Sequence, residues 1–316
     1  MNAFVIGCGR WGTFIGWYLN KIGYKVTIYG RPSSKNLEEL KRSRKNEYLT
    51  LPNDVELTSD LANIEMSDIV IVSVDTQSFR NVANTIKEMA KGKTIALCMK
   101  GIEISTGMRL SSIAKEILKD SKIAVWLGPG HVESFVKGIP NCMVIDSEDE
   151  DCKKRLVKEF SSPLIRFYYG TDLIGNEIGA ASKNVIGIAG GMLDGLNLTS
   201  LKGALMARGT REISRLIVKM GGKEISAYGL CHLGDYEATL FSPFSHNRMF
   251  GEKFIKKEKY DSLAEGYYTV EPLVKMQDKY GVELPICSAV YDILYRNEDP
   301  SKALEKLFLR NVVKEF

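Results

Sequence analysis

A glycine-rich stretch near the start of the chain constrains the fold more than any other feature. Between Phe4 and Trp17, an apolar run ends in the pattern Gly7-x-Gly9-x-x-Gly12, and a helical pattern follows at once. This order is typical of a strand, a phosphate-binding loop and a helix N-terminus. Gly7 would permit a tight turn, Gly9 the approach of a pyrophosphate, and Gly12 close packing of helix on strand. The stretch predicts a dinucleotide site; the alternative is a plain strand–turn–helix.

Size and composition favour an ordinary globular protein with two domains. The chain has 316 residues, 44% hydrophobic and 26% charged, with a formal net charge of +4. So mild a charge does not favour a nucleic-acid partner, although clustered cations would attract small anions. The cysteines form no C-x-x-C pair and the histidines no cluster with metal-ligand spacing, so we expect no metal and a cytoplasmic location. We also expect no signal peptide and no membrane span.

Strand and helix patterns alternate through the first half of the chain. Short β-branched or apolar runs separated by amphipathic segments predict a parallel, doubly wound sheet. The expected strands are residues 3–6, 25–29, 55–58, 69–74, 94–97, 124–127, 142–145 and 164–168. The expected helices include residues 14–22, 79–90, 108–118 and 150–160.

From about Gly175 the β-branched runs disappear and helical spacing takes over. We therefore predict an α/β protein, with an N-terminal Rossmann-like domain over residues 1–172 and an all-helical C-terminal domain over residues 173–316. The expected helices of the second domain are residues 176–196, 203–220, 271–280, 286–296 and 302–311, with a surface loop at 251–261. The first of these is apolar almost all round, which suits a long central helix.

The residues after the second strand bear on the choice of cofactor. Sites for NAD usually place an acid there to bond the ribose 2′-hydroxyl. This chain has no acid before Glu38 and instead presents Arg31 and Lys35. A guanidinium suits a 2′-phosphate, so NADP is favoured and NAD remains possible. The alternative is a solvated basic loop.

Two segments follow predicted strands, where doubly wound sheets bind their ligands. Lys100 follows the strand at residues 94–97, and Gly128-Pro129-Gly130-His131 follows the strand at 124–127. The lysine would bind an anionic group of substrate or cofactor, and the glycines would let a ligand approach the backbone. A surface lysine and an ordinary turn are the alternatives.

A lysine inside the apolar helix is the strongest candidate for chemistry. Lys183-Asn184 lies in a helix without a polar face, and a buried ammonium needs a partner. Such a lysine can act as an acid or base. Asp235 would supply the carboxylate, although aspartate also suits a helix N-cap. The donors in Ser245-His246-Asn247-Arg248 suit phosphate as well as any polar loop.

Several of these segments are similar to motifs of one enzyme family, and the similarity runs nearly end to end. Residues 7–13 resemble G-x-G-x-W-G-T, residues 100–103 resemble K-G-[IL]-E, and residues 128–133 resemble G-P-S-H-A-E. Residues 181–186 resemble a helix that carries a catalytic Lys-Asn, and residues 234–239 resemble G-D-L-x-x-T. Residues 265–266 and 281–286 match a C-terminal pattern. Together they resemble the bacterial NAD(P)-dependent glycerol-3-phosphate dehydrogenases.

The resemblance implies a role for each matching residue. Lys183 would be the general acid/base, with Asn184 and Asp235 as its catalytic partners. The small phosphorylated three-carbon substrate would bind Lys100, Gly128, Gly130, Lys183, Asp235, Ser245, His246 and Asn247. The cofactor, NADP or NAD, would bind Gly7, Gly9, Arg10, Trp11, Gly12, Arg31, Lys100, Val132, His246, Leu263 and Glu265. The family also implies phospholipid supply and a homodimer.

Three positions depart from the family pattern. His246 stands where the family has Arg, which replaces a permanent cation by an imidazole that is largely neutral near pH 7. Asp75 follows the strand at 69–74, where Pro-Ser is usual, and Ser200 stands at a usual Asn. Arg248 is a candidate to replace the missing arginine. Two alternatives therefore stay open: a dehydrogenase acting on a different small 2-oxo or 3-hydroxy compound, and a non-catalytic NADPH-binding protein.

Overall fold

A computed structural model describes residues 1–311, which form two compact units. The first unit comprises Met1–Lys100 and Met108–Glu177, and the second comprises Gly101–Gly107 and the chain from Ile178 onwards. The short segment 101–107 thus groups with the second unit. The predicted domain boundary between residues 172 and 173 stays a prediction.

The first unit is built on a sheet of eight strands in the order β3-β2-β1-β4-β5-β6-β7-β8. The strands are β1 Asn2–Ile6, β2 Lys25–Tyr29, β3 Glu56–Thr58, β4 Ile69–Val72, β5 Thr94–Leu97, β6 Lys122–Leu127, β7 Asn141–Asp146 and β8 Ile165–Tyr169. The predicted strands are confirmed within a residue or two. The chain order turns back between β1 and β4, which is the switch point where doubly wound sheets bind ligands.

The expectation of a wholly parallel sheet is wrong at one pair of strands. Strand β7 runs antiparallel to β6, with Val125 opposite Asp146 and Leu127 opposite Val144. The connection between them carries only α5, Val132–Val136, whose five residues rise about 7.5 Å. That is too short to return the chain along a six-residue strand, so β7 runs back beside β6. Helix α6, Glu150–Phe160, then provides a parallel crossover to β8.

Four further helices belong to the first unit: α1 Arg10–Lys21, α2 Lys35–Ser43, α3 Phe79–Ile86 and α4 Leu110–Ile117. Helix α2 was not among the predicted helices, although its signals are present in the sequence. Ser34 caps it by accepting a hydrogen bond from Leu37 N (3.3 Å), and Leu37 and Leu40 supply a buried face. Strand β4 is buried along its whole length, as expected for a strand covered on both faces.

The second unit is helical, as predicted. Its helices are α7 Leu173–Gly195, which enters this unit at Ile178, α8 Lys202–Lys219, α9 His246–Ile255, α10 Glu265–Tyr280, α11 Pro285–Arg296 and α12 Pro300–Phe308. The predicted surface loop at 251–261 is wrong for its first half, because α9 continues to Ile255. At Gly251, a Cβ atom would collide with the carbonyl oxygen of Ile188, so glycine lets α9 pack backbone against backbone on α7. None of the described helices has the length and hydropathy needed to span a bilayer.

Candidate active site

The glycine loop, residues 7–12, uses its three glycines in two ways. Gly7 has a φ of +116°, and a Cβ atom there would collide with the carbonyl oxygen of Ser73. A Cβ atom at Gly12 would collide with the carbonyl oxygen of Gly7. These two glycines are therefore required by the loop itself. A Cβ atom at Gly9 would meet no atom within 4 Å, so the backbone there borders open space at the start of α1. This opening fits a pyrophosphate at a helix N-terminus.

Arg10 and Trp11 are both held by internal contacts. The Arg10 guanidinium donates to both carboxylate oxygens of Glu133, at 2.8 and 2.6 Å, and stacks over the ring of Tyr48. Trp11 packs its ring on Phe14, with centroids 5.0 Å apart. Val132, at the start of α5, is buried. Of these candidates for cofactor binding, Arg10 is the one whose polar group is oriented by a carboxylate.

The loop after β2 contacts the glycine loop. Cys8 Sγ lies 3.3 Å from Ser34 Oγ, and Ser34 N donates to Arg31 O over 2.9 Å. The Arg31 side chain is exposed. The charged side chains between β2 and Glu38, Arg31 and Lys35, are both cations, which agrees with a preference for NADP.

Lys100 and Gly128 follow neighbouring strands, β5 and β6, and the structure brings them together. Lys100 Nζ donates to the carbonyl oxygen of Gly128 over 2.6 Å. Gly128 and Gly130 have φ angles of +123° and +142°, which other residues rarely adopt. The turn therefore needs glycine at both positions, and it holds an ammonium group at the carboxyl end of the sheet. Asp75, after β4, caps the following turn by accepting from Ser78 N at 2.9 Å.

In the second unit, Lys183, Asp235 and Thr239 form a buried group that we call the lysine cluster. Lys183 Nζ lies 2.9 Å from Asp235 Oδ2 and donates to Thr239 Oγ1 over 2.7 Å. The Thr239 hydroxyl in turn donates to the carbonyl oxygen of Asp235 over 2.6 Å. All three residues are less than one-tenth exposed. The ammonium is thus held by a charge and an oriented hydroxyl, in surroundings where both interactions are strong.

Thr239 is a member that the site residues read from the sequence did not include. Its motif position was recognised, but nothing in the sequence shows that its hydroxyl accepts from Lys183. It lies in the π-helical turn Glu237–Phe241, an irregular geometry that is frequent at functional sites. Tyr236 alone separates this turn from the short helix Leu233–Asp235, which brings the carboxylate and the hydroxyl to the same ammonium.

Asn184 joins a second set of polar contacts. Asn247 Nδ2 donates to Asn184 Oδ1 over 3.1 Å, and Asn247 Oδ1 accepts from Gly266 N over 2.9 Å. These bonds connect α7, α9 and the start of α10. Both amides are therefore fixed in orientation, as residues that position a ligand must be.

The residues around Asn247 have separate partners. Ser245 caps α9 by accepting from Arg248 N, and His246 Nδ1 lies 2.6 Å from Tyr260 Oη. Arg248 donates to Asp194 at 2.7 Å and to Glu252 at 2.9 Å. Because carboxylates of its own unit hold this guanidinium, the structure does not support Arg248 as the replacement for the missing arginine. Glu265 is the first residue of α10, and Leu263 is half exposed.

The fold and the lysine cluster together define a class of protein. A doubly wound sheet with an open glycine loop fits a dinucleotide, and a buried lysine held by a carboxylate fits proton transfer to an oxygen. These are the features of a nicotinamide-dependent dehydrogenase, and comparisons with known proteins identify which one.

Two family profiles cover most of the chain. Residues 2–153 match the NAD-dependent glycerol-3-phosphate dehydrogenase N-terminus, and residues 172–305 match the C-terminus of the same family. The glycerol-3-phosphate dehydrogenase [NAD(P)+] of Fusobacterium nucleatum is 35% identical over 97% of this chain and 96% of its own. That of Clostridium botulinum is 33% identical over 96% of both chains.

A solved structure agrees with these sequence matches. The glycerol-3-phosphate dehydrogenase (gpsA) from Coxiella burnetii has a TM-score of 0.91 and 27% identity, covering 98% of this chain and 99% of its own. The chain therefore belongs to the NAD-dependent glycerol-3-phosphate dehydrogenase family. It is an oxidoreductase, and its cofactor is NADP or NAD.

Proposed function

We propose that this protein interconverts dihydroxyacetone phosphate and sn-glycerol 3-phosphate with NADPH, or with NADH, and so supplies glycerol phosphate for phospholipid synthesis. The observation that carries the proposal is the buried Lys183, held 2.9 Å from Asp235 and 2.7 Å from Thr239. The ammonium group of this lysine is fixed in orientation and buried away from water. Such a group is suited to donating a proton to a ketone oxygen.

Each residue of the lysine cluster has a distinct task in this proposal. When bound, the reduced nicotinamide supplies a hydride to the ketone carbon. Lys183 donates a proton to the C2 oxygen as negative charge develops there, and takes it back in the reverse reaction. Asp235 pairs with the ammonium group and orients it, and Thr239 Oγ1 accepts a hydrogen bond from the same group. Asn184, oriented by Asn247, is assigned to a substrate hydroxyl.

The remaining candidates are assigned within their own units. In the first unit, we assign the cofactor to Gly7, Gly9, Arg10, Trp11, Gly12, Arg31, Lys100 and Val132, and substrate contacts to Lys100, Gly128 and Gly130. In the second unit, we assign phosphate contacts to Ser245, His246 and Asn247, and cofactor contacts to His246, Leu263 and Glu265. The support is the motif at each position together with the open backbone at Gly9 and the fixed amide of Asn247.

We also infer a cytoplasmic homodimer, a part of the proposal that rests on the family resemblance. Light scattering coupled to size-exclusion chromatography of the full chain should give a mass of twice 35.3 kDa. A monomer at micromolar concentration would contradict it.

A single assay tests the central proposal. Oxidation of NADPH and of NADH is followed with dihydroxyacetone phosphate, and again with unphosphorylated dihydroxyacetone at equal concentration. We expect turnover with the phosphorylated ketone, a kcat/KM at least about tenfold lower without the phosphate, and a preference for NADPH. Absence of turnover with dihydroxyacetone phosphate and either cofactor would reject the proposal.

A second candidate is a dehydrogenase of another small ketone, and His246 is the observation that favours it. An imidazole bonded to Tyr260 cannot form the two parallel hydrogen bonds that a guanidinium offers to a phosphate. Asp75 no longer supports this candidate strongly, because its carboxylate is engaged in capping the turn at Ser78. A higher kcat/KM with the unphosphorylated ketone would favour this candidate.

A further inference from the structure

The second unit buries an imidazole and a phenol that the proposed mechanism does not use. His232 and Tyr236 are both 0% exposed, and His232 Nε2 lies 2.7 Å from Tyr236 Oη. His232 Nδ1 lies 2.8 Å from the carbonyl oxygen of Gly179. Because a carbonyl oxygen only accepts, Nδ1 carries the proton and Nε2 accepts from the Tyr236 hydroxyl. The contacts therefore select one neutral tautomer.

Burial keeps the imidazole in that state. Desolvation and, to a smaller extent, the nearby Lys183 ammonium bring the pKa of His232 down to about 4, against the raising effects of the Gly179 and Gly209 backbone and of Asp235. Thr210, Glu212 and Cys287 lie near the Tyr236 side chain. Desolvation raises the pKa of Tyr236 well above its usual value, so the phenol keeps its proton. Near neutral pH the pair is thus an uncharged hydrogen-bonded unit.

The pair joins the two pieces of backbone that carry the lysine cluster. Gly179 lies one helical turn before Lys183 on α7, and a Cβ atom there would be 3.0 Å from His232 Cβ. Tyr236 follows Asp235 directly, and Asp235 N donates to the carbonyl oxygen of His232 over 3.0 Å. The imidazole therefore connects the turn that precedes Lys183 to the turn that bears Asp235.

Core packing alone would not require a buried imidazole and phenol at this place. An imidazole taken out of water costs free energy unless both nitrogens are bonded, and apolar side chains of similar size would fill the space without that cost. The motif that residues 234–239 resemble has leucine where this chain has Tyr236. Hydrogen bonds form only within a narrow range of distances and angles. A polar pair at this place therefore fixes the position of the turn that bears Asp235.

We propose that His232 and Tyr236 are positioning residues, which hold the Asp235 carboxylate at hydrogen-bonding distance from the Lys183 ammonium. This inference rests on the proposed function for its kinetic consequences. Without the Tyr236 hydroxyl, His232 Nε2 is buried without a donor, and the turn shifts to relieve this. A displacement of about 1 Å at a catalytic group costs on the order of 10²-fold in rate.

The test compares wild type with Tyr236→Phe and His232→Asn. Tyr236→Phe removes only the hydroxyl, and His232→Asn keeps a donor for Gly179 but is too short to place an acceptor at the position of Nε2. We expect each to lower kcat by about 10- to 100-fold, with the dissociation constant for NADPH within about twofold of wild type. The double variant should be no slower than the slower single variant, because both changes break the same connection.

A matched control uses another phenol of the second unit. Tyr295 Oη donates to the carbonyl oxygen of Tyr267 over 2.8 Å, and Tyr295→Phe should keep the kcat of wild type. Thermal midpoints are measured for all variants, and rates are taken where every variant is folded. If Tyr236→Phe lowers the midpoint but keeps kcat, or if the two changes add, the pair is only structural and the inference is overturned.

A crystal structure of Tyr236→Phe separates this inference from the proposed function. We expect the distance from Lys183 Nζ to Asp235 Oδ2 to increase beyond hydrogen-bonding range. If that distance stays near the 2.9 Å of this structure, the inference fails, whatever the enzyme reduces. If wild type does not reduce dihydroxyacetone phosphate while the distance increases in the variant, the proposed function fails and the positioning role stands.

Discussion

The glycine loop and the lysine cluster perform their tasks by opposite means. In the loop, three residues within six positions have no side chain, and the ligand would meet the backbone. In the cluster, three polar side chains come from positions up to 56 residues apart and meet inside a helical unit. The loop is a local structure that depends on the absence of side chains at its glycines. The cluster is a tertiary structure that depends on charged and polar groups buried away from water.

Lys183→Ala is the largest expected change and tests whether the cluster does chemistry while the loop only binds. Loss of the proton donor should lower kcat by about 10²–10⁴-fold. The dissociation constant for NADPH, measured by fluorescence titration, should stay within about twofold of wild type. Activity like that of wild type in this variant would remove the cluster from the mechanism.

A second buried lysine provides the control for this variant. Lys153, in the first unit, is 4% exposed and donates to the carbonyl oxygen of Gly170 over 2.8 Å. Lys153→Met should lower the free energy of unfolding, because it leaves Asp146 buried beside a missing charge, and should leave kcat unchanged. An equal loss of kcat in both variants would mean that any buried lysine matters only for folding.

Gly9→Ala and Gly12→Ala test whether Gly9 makes room for the ligand while Gly12 is needed for the conformation of the loop. Gly9 has φ and ψ of −77° and −173°, which alanine also adopts, and its Cβ atom would meet nothing within 4 Å. Gly9→Ala should therefore keep the thermal midpoint but weaken NADPH binding by at least about tenfold, because the methyl group takes the space of the pyrophosphate.

Gly12→Ala should behave differently from Gly9→Ala. Its Cβ atom would collide with the carbonyl oxygen of Gly7, so both the thermal midpoint and NADPH binding should fall. If Gly9→Ala binds NADPH as tightly as wild type does, the opening at Gly9 is not the pyrophosphate site.

The same contrast explains how far the sequence alone could lead. The loop was predicted residue by residue, because a strand end, a turn and a helix start are set by neighbours in the chain. Lys183 was singled out because an ammonium in an apolar helix is conspicuous, and Asp235 was named as its carboxylate partner, with a helix N-cap as the alternative role. The contacts of the Thr239 hydroxyl, of the amides of Asn184 and Asn247, and of the His232 imidazole gave no local signal. Their hydrogen-bond partners are determined by how the helices pack against one another. The spacing of residues along the sequence does not show that packing.

The direction of β7 shows the same limit in the first unit. Its last four residues are all buried, as in a strand covered on both faces, and the sequence predicted the strand correctly. Its orientation depends on the length of α5, because a five-residue helix cannot return the chain. Helix boundaries in the second unit differed for a related reason: α9 extends through Gly251 because that glycine packs on Ile188 of α7.

Arg31→Ala tests whether any side chain near the glycine loop adds selectivity to backbone binding. A charge-assisted bond to a 2′-phosphate is worth about 1.5–3 kcal/mol, so the preference for NADPH over NADH should fall at least about tenfold. The affinity for NADH should hardly change, because that cofactor lacks the phosphate. Arg42→Ala, an exposed arginine in the last turn of α2, is the control and should leave the preference unchanged. If Arg31→Ala does not change the preference for NADPH over NADH, the basic loop after β2 is solvated and does not bind the 2′-phosphate.

His246→Arg gives the smallest expected effect and tests whether the second unit binds phosphate with anything beyond the amide of Asn247. The imidazole is bonded to Tyr260 Oη, whereas a guanidinium is always charged and can bond two phosphate oxygens. We expect the KM for dihydroxyacetone phosphate to fall by about three- to tenfold with little change in kcat, since the added contact is made equally in the ground and transition states. The KM for unphosphorylated dihydroxyacetone is the internal control and should not change. A higher KM for the phosphorylated ketone would mean that His246 contributes through its bond to Tyr260 and not through charge, and the second unit would then hold its ligand by oriented neutral groups around one buried ion pair.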